Sequence, residues 1–343
     1  MKAVLLTQPE HIELVEMPEE DPGPGEVKLR IEACSVCGSD LEGYHGQHPK
    51  MTFPRVMGHE VASVVEAVGD GVTEVSVGDR VAGTGRKACR SCEACRQNHP
   101  ASCTNLGGPG FTAHGAYAES MTVVSNRLTP IPENLSFEEA AVAQPVCIAN
   151  HAVSGRAQIQ AGETVLIQGC GPIGLAAMML AKLRGARVIS TDIVDYRLQS
   201  ARKLGADLAI NTHKEGLFSP ILDLTNGNGV DKVIECVGTD QDETLPQAVN
   251  AVRSSGLVVV VGSFANNRAT VPIIDFKFSE KTLVGSQGMP EGYLPVFELM
   301  SAGKLDVNPL ITHRVPLEMA PHALDLMDRK AEDVVKVVLQ PQT

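Results

Sequence analysis

The sequence predicts an α/β fold in which an irregular antiparallel β domain is joined to a doubly wound parallel sheet. Three observations carry this. Over residues 1–146, short β-branched runs alternate with turns rich in Gly and Pro, the pattern of irregular antiparallel strands. Over residues 147–280, apolar runs alternate with amphipathic stretches of helical length, as in a sheet whose strands are joined by crossover helices. After residue 281 a further strand and helix lead into an apolar tail at 334–339, which is expected to return to the first domain. The expected boundaries are 1–146 with 281–343 for the β domain and 147–280 for the parallel sheet.

Taken in order, strands are expected at 27–31, 61–68 and 80–82, separated by turn signals such as Gly69-Asp70-Gly71 and Gly78-Asp79. The parallel sheet is expected to use 164–168, 187–191, 207–210, 232–236 and 257–261; past it, a further strand at 282–285 and a helix at 294–301 are expected in the segment that leads back to the first domain. No internal repeat or low-complexity segment stands out, so a solenoid is not expected.

At 343 residues, 43% hydrophobic and 20% charged, the chain has the composition of an ordinary globular protein of two domains. Asp and Glu outnumber Lys and Arg by 41 to 29, giving a formal charge of −12. No basic run is present that could neutralise a phosphate backbone, so nucleic acid is not an expected partner. The N-terminal apolar stretch is too short for a secretory leader, and a cytoplasmic location without a membrane partner is expected. The uncharged stretch 164–181 has nearly the length of a membrane span, but Gly169-Cys170-Gly171-Pro172 interrupts it. Nine cysteines in a reducing compartment read as metal ligands and buried thiols. Cys34, Cys147, Cys170 and Cys236, in apolar surroundings, are expected to be small buried residues.

The run 165–174 is a strand followed by Gly169-x-Gly171-x-x-Gly174 and an apolar helix. In that context Gly169 permits the tight turn, Gly171 lets the backbone approach a pyrophosphate, and Gly174 allows close helix packing. Pro172 and Ile173 open a helix whose first N–H groups would meet the phosphates. The competing reading, a glycine-rich turn without a ligand, is set against the second strand and the acid that follow. That acid, Asp192, can accept both ribose hydroxyls of NAD and repel the extra phosphate of NADP. Alternatively Asp192 caps a turn and Arg197 receives a 2′-phosphate; no basic residue directly follows the acid, so NAD is the expected cofactor and Arg197 is assigned to the adenine.

Cys89, Cys92, Cys95 and Cys103 follow C-x2-C-x2-C-x7-C, and Cys37 with His59-Glu60 forms a second cluster upstream. Four thiolates can close a tetrahedron around zinc, whereas a Cys-His-carboxylate set leaves a position open for a substrate oxygen. The first is a structural site and the second a reactive one. Two disulfides compete for the four-cysteine segment but conflict with the compartment. For the second cluster the competing reading is a core thiol beside a satisfied buried histidine. Lys87, Arg90 and Arg96 lie near enough in sequence to offset part of a tetrathiolate charge.

Cys37-Gly38-Ser39-Asp40, Gly58-His59-Glu60, the four-cysteine segment, the turn ending in Gly174, Glu235-Cys236-Val237-Gly238, Val261-Gly262-Ser263 and Ile311-Thr312-His313-Arg314 together resemble the zinc-dependent medium-chain dehydrogenases. That family includes alcohol, sorbitol and threonine dehydrogenases. The resemblance implies a GroES-like catalytic domain and a Rossmann domain, two zinc ions per subunit, and NAD. It implies a catalytic zinc on Cys37, His59, Glu60 and Gln144, with Ser39 passing the substrate proton outward. It further implies cofactor contacts at Val237, Gly238, Val261, Gly262, Ser263, Ser286 and Gln287, and assembly as a homodimer or homotetramer. His151 resembles part of a helix that flanks the nicotinamide.

Two positions depart from the family pattern. Gln144 stands where sorbitol- and threonine-type relatives carry Glu; it either binds zinc as an uncharged ligand or supports a water that does. As a ligand it leaves the site less negative, which sets the expectation of alcohol oxidation at lower pH. Glu42 stands where many relatives have a relay histidine and can carry the proton as a carboxylate; His45 and His48, nearby in sequence, could substitute in that relay, the competing reading being exposed loop residues. The polar run Glu42, Tyr44, His45, Gln47 and His48, with only 3% aromatics in the chain, suggests a small polyol or sugar-like secondary alcohol, oxidised to a ketone. The alternatives are a threonine-type amino alcohol dehydrogenase and a zinc-stabilised nucleotide-binding protein without turnover.

Overall fold

The computed structural model describes residues 1–84, 91–97, 103, 108–238, 241–263, 268–289 and 291–343. It divides into two compact units, Met1–Gln144 with Gly292–Thr343, and Pro145–Glu291. Residues 281–291 fall in the second unit because Thr282–Gly285 pairs with Val252–Val260 as the last strand of its sheet.

In the first unit a seven-stranded sheet runs in the order Ile311–Pro316, Lys336–Gln340, Glu26–Ser35, Glu60–Val68, Arg80–Ala82, Thr129–Pro130, with Ser120–Val124 also paired to Glu26–Ser35. Its pairings are antiparallel except that of Ile311–Pro316 with Lys336–Gln340. Strand Glu26–Ser35 shows why it sits centrally. Val27, Leu29, Ile31 and Ala33 alternate into the core, and burial becomes continuous from Ala33 to Ser35, as expected where both faces are covered. The C-terminal tail does return to this sheet: Val338 and Leu339 pair with Ser35 and Cys34. That pairing brings residue 336 beside the start of strand Glu60–Val68.

The second unit is a six-stranded parallel sheet ordered Leu208–Asn211, Arg187–Asp192, Thr164–Gln168, Val230–Glu235, Val252–Val260, Thr282–Gly285. Strand order reverses between Thr164–Gln168 and Val230–Glu235, and the crevice beyond the carboxyl ends at such a reversal is where doubly wound sheets bind ligands. The uncharged stretch noted above becomes strand Thr164–Gln168, a turn, and helix Pro172–Leu183. Among the described residues no helix is long and apolar enough to cross a membrane.

Candidate active site

Cys37, His59 and Glu60 converge so that their candidate ligand atoms lie within 4.8 Å of one another. Cys37 is the N-cap of helix Gly38–Tyr44, and His59-Glu60 enters the strand Glu60–Val68. Gly58 makes the entry possible. Its φ of +92° is in the left-handed region, and a Cβ there would sit 2.5 Å from the Tyr117 ring.

The cluster rests on a buried scaffold. Asp40 accepts hydrogen bonds from the Cys37 N–H and the Tyr117 hydroxyl, both at 2.9 Å, and its other oxygen lies 3.4 Å from His59 Nδ1. Burial alone would raise the Asp40 pKa, but His59, Cys37 N–H and Tyr117 hold it below the usual carboxylate value. Burial would likewise lower that of His59, yet Asp40 and Cys37 outweigh it and raise it to about 10. A nitrogen held this basic is a strong donor once a metal displaces its proton.

Glu60 is gripped on one side only. Its Oε2 is 2.6 Å from the fully buried Lys336 Nζ and accepts from Ser35 Oγ, while Lys336 also donates to Val36 O at 2.7 Å. Glu60 Oε1 is buried and has no hydrogen-bond partner among the described residues. A buried carboxylate oxygen without a donor, beside a thiol and an imidazole, is what a bound cation would satisfy, so the donor set fits zinc. The Lys336 pKa is raised because Glu60 and Cys37 overcome the opposing effect of burial.

The other proposed residues are distributed as follows. Ser39 and Glu42 lie three apart on helix Gly38–Tyr44, both half-buried, and so share a face. Burial raises the Glu42 pKa. Gln144 is half-buried within helix Phe137–Asn150. His151 opens the π-helical turn His151–Arg156 and is 2.9 Å from Glu291. The His48 ring stacks on Phe111 at 4.4 Å, and Phe111 lies 4.9 Å from the His59 ring, so His48 approaches the cluster.

Both ring nitrogens of His45 are occupied, by Glu10 and Asp328 at 3.1 Å each. Burial works against the charged ring, but Asp328 and Glu10 raise its pKa above 6.5. This tie is present below the ordinary histidine pKa and is lost as pH rises through the raised value. His45→Gln is therefore expected to lower thermal stability at pH 6, by less than about 1 kcal/mol for so accessible a pair, and to leave it unchanged near pH 9. Melting curves of both proteins at the two pH values check this.

In the cysteine-rich segment Cys92, Cys95 and Cys103 also converge within 4.8 Å, with Cys92 and Cys103 sulfurs 3.8 Å apart. Tetrahedral zinc with Zn–S bonds of about 2.3 Å places its sulfurs about 3.8 Å apart, nearly twice a disulfide bond. Cys89, with Lys87 and Arg90, lies outside the described residues. Arg96 is engaged by Ser91 O and Glu93. Cys34, Cys147 and Cys170 are buried as expected whereas Cys236 is half-buried, and desolvation raises the pKa of all four, which suits inert thiols.

In the second unit the candidate cofactor residues emerge along one edge. Gln168 is in register with Thr191 and Glu235, Glu235 with Val260, and Val260 with Gly285. Gly169, Asp192, Val237-Gly238, Val261-Gly262-Ser263 and Ser286-Gln287 therefore follow strands that end level with one another. Gly169 has φ +86°, a Cβ on Gly174 would meet Gly169 O at 1.8 Å, and a Cβ on Gly171 would meet only Arg197 Nη1 at 3.9 Å. The turn is tight at its ends and open in its middle, where a pyrophosphate would lie. Pro172 and Ile173 begin helix Pro172–Leu183. The Asp192 carboxylate accepts from the N–H groups of Cys170, Ile193 and Val194 at 2.7, 2.8 and 2.9 Å, which fixes its orientation at the strand end.

Comparison with known proteins agrees with this geometry. Residues 23–133 match the family model for the alcohol dehydrogenase GroES-like domain, and 172–302 that for zinc-binding dehydrogenase. L-threonine 3-dehydrogenase of Pyrococcus furiosus is 36% identical over 92% of this chain and 91% of its own. Sorbitol dehydrogenase of Halalkalibacterium halodurans is 32% identical over 99% of each. Among solved structures, one from E. coli CFT073 described as a short chain alcohol dehydrogenase, complexed with NADH, superposes with a TM-score of 0.90 at 30% identity, covering 99% of each chain. The chain belongs to the zinc-binding alcohol dehydrogenase family.

Lys336, Tyr117, Phe111 and Glu235 had no role from sequence. Lys336 had a signal: it is the lone charge inside the apolar run 334–339. Tyr117 and Phe111 had none, because each reaches the cluster through packing of distant segments.

Proposed function

We propose that this protein is a zinc-dependent oxidoreductase that transfers a hydride from a secondary alcohol, of polyol or sugar-like character, to NAD, giving a ketone. The observation that carries this is Glu60 Oε1, buried without a hydrogen-bond partner among the described residues, beside Cys37 and His59. A binding protein without turnover has no use for an open metal site of this kind.

Cys37, His59 and Glu60 would hold the zinc, with Gln144 completing the set directly or through a water. Bound there, the metal supplies Lewis-acid polarisation of the substrate oxygen. Ser39, one residue past the start of the helix capped by Cys37, takes the proton from the substrate hydroxyl. Glu42 passes it on from the next turn, and the burial that raises its pKa moves a carboxyl toward the range in which it exchanges protons near neutral pH. His45, held by Glu10 and Asp328, acts in this reading as a structural tie. His48 beside Phe111 gives the metal site a polar neighbour, which favours a hydroxylated substrate over an apolar one.

At the carboxyl ends of the parallel sheet Gly171 would hold the pyrophosphate of the dinucleotide, Asp192 its adenosine ribose and Arg197 its adenine. The bound cofactor supplies the hydride acceptor. Asp192→Ser is expected to raise the KM for NAD about tenfold and to improve the use of NADP; initial rates with both cofactors check it. For the substrate class, the zinc-loaded protein is incubated with NAD and a panel of pentitols, hexitols and threonine. Reduced cofactor should appear with a polyol, formation with threonine alone would move the assignment to the amino alcohol class, and none with any member would favour a nucleotide-binding protein.

Assembly as a homodimer or homotetramer is supported by the edge strand Thr282–Gly285 and by Ile273, Ile274 and Phe278, which are 64, 68 and 79% exposed just before it. Exposed apolar side chains beside an open sheet edge are suited to pairing with a second copy. A cytoplasmic location is supported by the absence of a disulfide among the described cysteines.

A further inference from the structure

Glu235 ends the strand Val230–Glu235 and is in register with Gln168, which ends the neighbouring strand on the other side of the order reversal. Both side chains are buried, at 0 and 1% exposure. A fully buried carboxylate is costly unless its oxygens are bonded, and the bonds it makes show what it holds. Its Oε1 accepts from the Val237 N–H and the Thr244 hydroxyl, each at 3.0 Å. Its main-chain oxygen accepts from the N–H groups of Val261 and Gly262 at 2.8 and 3.1 Å. Gln168 closes the layer by donating from its side-chain amide to Thr244 O at 3.1 Å, while its main-chain oxygen accepts from Cys236 N–H at 2.9 Å.

One residue is thus bonded to the first two of the three loops that follow the strands beyond the reversal, Val237-Gly238 and Val261-Gly262. The turn Gly169–Gly174 and Asp192 lie on the opposite side of that reversal. A dinucleotide spanning the crevice places one mononucleotide half on each side. With the pyrophosphate and adenosine assigned to the first side, the loops held by Glu235 receive the nicotinamide half.

We propose that Glu235 is a positioning residue for the nicotinamide half of the cofactor, its buried carboxylate fixing the Val237 loop in a layer shared with Thr244 and Gln168, beside the Val261 loop that its main-chain oxygen holds. It touches the loops and not the cofactor. The proposal rests on the dinucleotide reading given above, and its test separates the two.

Binding of NADH and of 5′-AMP, which carries only the adenosine half, is measured by titration on the full-length, zinc-loaded protein and on Glu235→Ala, Glu235→Gln and Thr244→Val. Glu235→Ala removes the acceptor of two hydrogen bonds and is expected to weaken NADH roughly tenfold or more while leaving 5′-AMP within about twofold. Glu235→Gln retains an oxygen for the Val237 N–H and should fall between wild type and Glu235→Ala. Thr244→Val removes one donor without burying an unpaired charge, and covers the case in which Glu235→Ala fails to fold; it should weaken NADH severalfold and spare 5′-AMP. Equal weakening of NADH and 5′-AMP, or unchanged NADH affinity in folded variants, would overturn the proposal. A wild-type protein that binds neither nucleotide would instead overturn the dinucleotide reading itself.

Discussion

In metal-free protein Lys336→Met is expected to destabilise the first unit by about 3–5 kcal/mol, the usual effect of removing one partner from a buried ion pair. The Lys336 ammonium and the Glu60 carboxylate are almost wholly excluded from water and 2.6 Å apart, so the remaining carboxylate would keep only Ser35 Oγ as a donor. The melting temperature should fall by about 10 °C or more. Adding Glu60→Gln to the same chain should restore a large part of the loss, because the second substitution removes the stranded charge. If the two losses simply add, the pair is not coupled and the scaffold role of Lys336 is wrong. The sign with pH follows from the raised lysine pKa. The contribution is complete below the ordinary lysine value and disappears only as pH rises through the raised one, so the deficit of Lys336→Met should be constant between about pH 6 and 9.

The second large effect is expected in the glycine turn, where neighbouring substitutions should differ in kind. A Cβ on Gly174 would lie 1.8 Å from Gly169 O, a main-chain atom that cannot swing aside. Gly174→Ala should therefore displace the turn, cost on the order of 1–3 kcal/mol or more, and reduce NADH affinity at least about a hundredfold through misplacement of the helix N-terminus. A Cβ on Gly171 meets nothing closer than Arg197 Nη1 at 3.9 Å, so Gly171→Ala should fold with unchanged stability and still lose NADH affinity, since the methyl occupies the path of the pyrophosphate. Thermal melts and NADH titrations on both variants separate the cases. Unimpaired NADH binding by Gly171→Ala would remove the pyrophosphate from this turn.

The parallel sheet was legible because each strand contains a short apolar run, such as 165–167, 188–189, 233–234 and 257–260, a local signal that tertiary packing reinforces. Boundaries were less so. Strand Val252–Val260 begins five residues before the expected 257–261, since its first half carries Arg253 and two serines and reads as a loop. The candidate metal ligands that converge were readable from residue types in motif context, whereas what orients them was not. Asp40 is in the motif, but its bonds to Tyr117 and His59 depend on segments far apart in sequence. His45 shows the converse: its place near Glu42 in sequence left a substitute relay and an exposed loop residue as readings, and neither anticipates the bonds of its ring to Glu10 and Asp328.

The zinc content of active protein, purified without chelators, tests the central claim most directly when Cys37→Ser is measured beside it. Two zinc ions per chain are expected in the parent and one in the variant, with turnover in the parent alone. Full activity in a parent whose only zinc remains in Cys37→Ser, and which carries no other transition metal, would contradict the account.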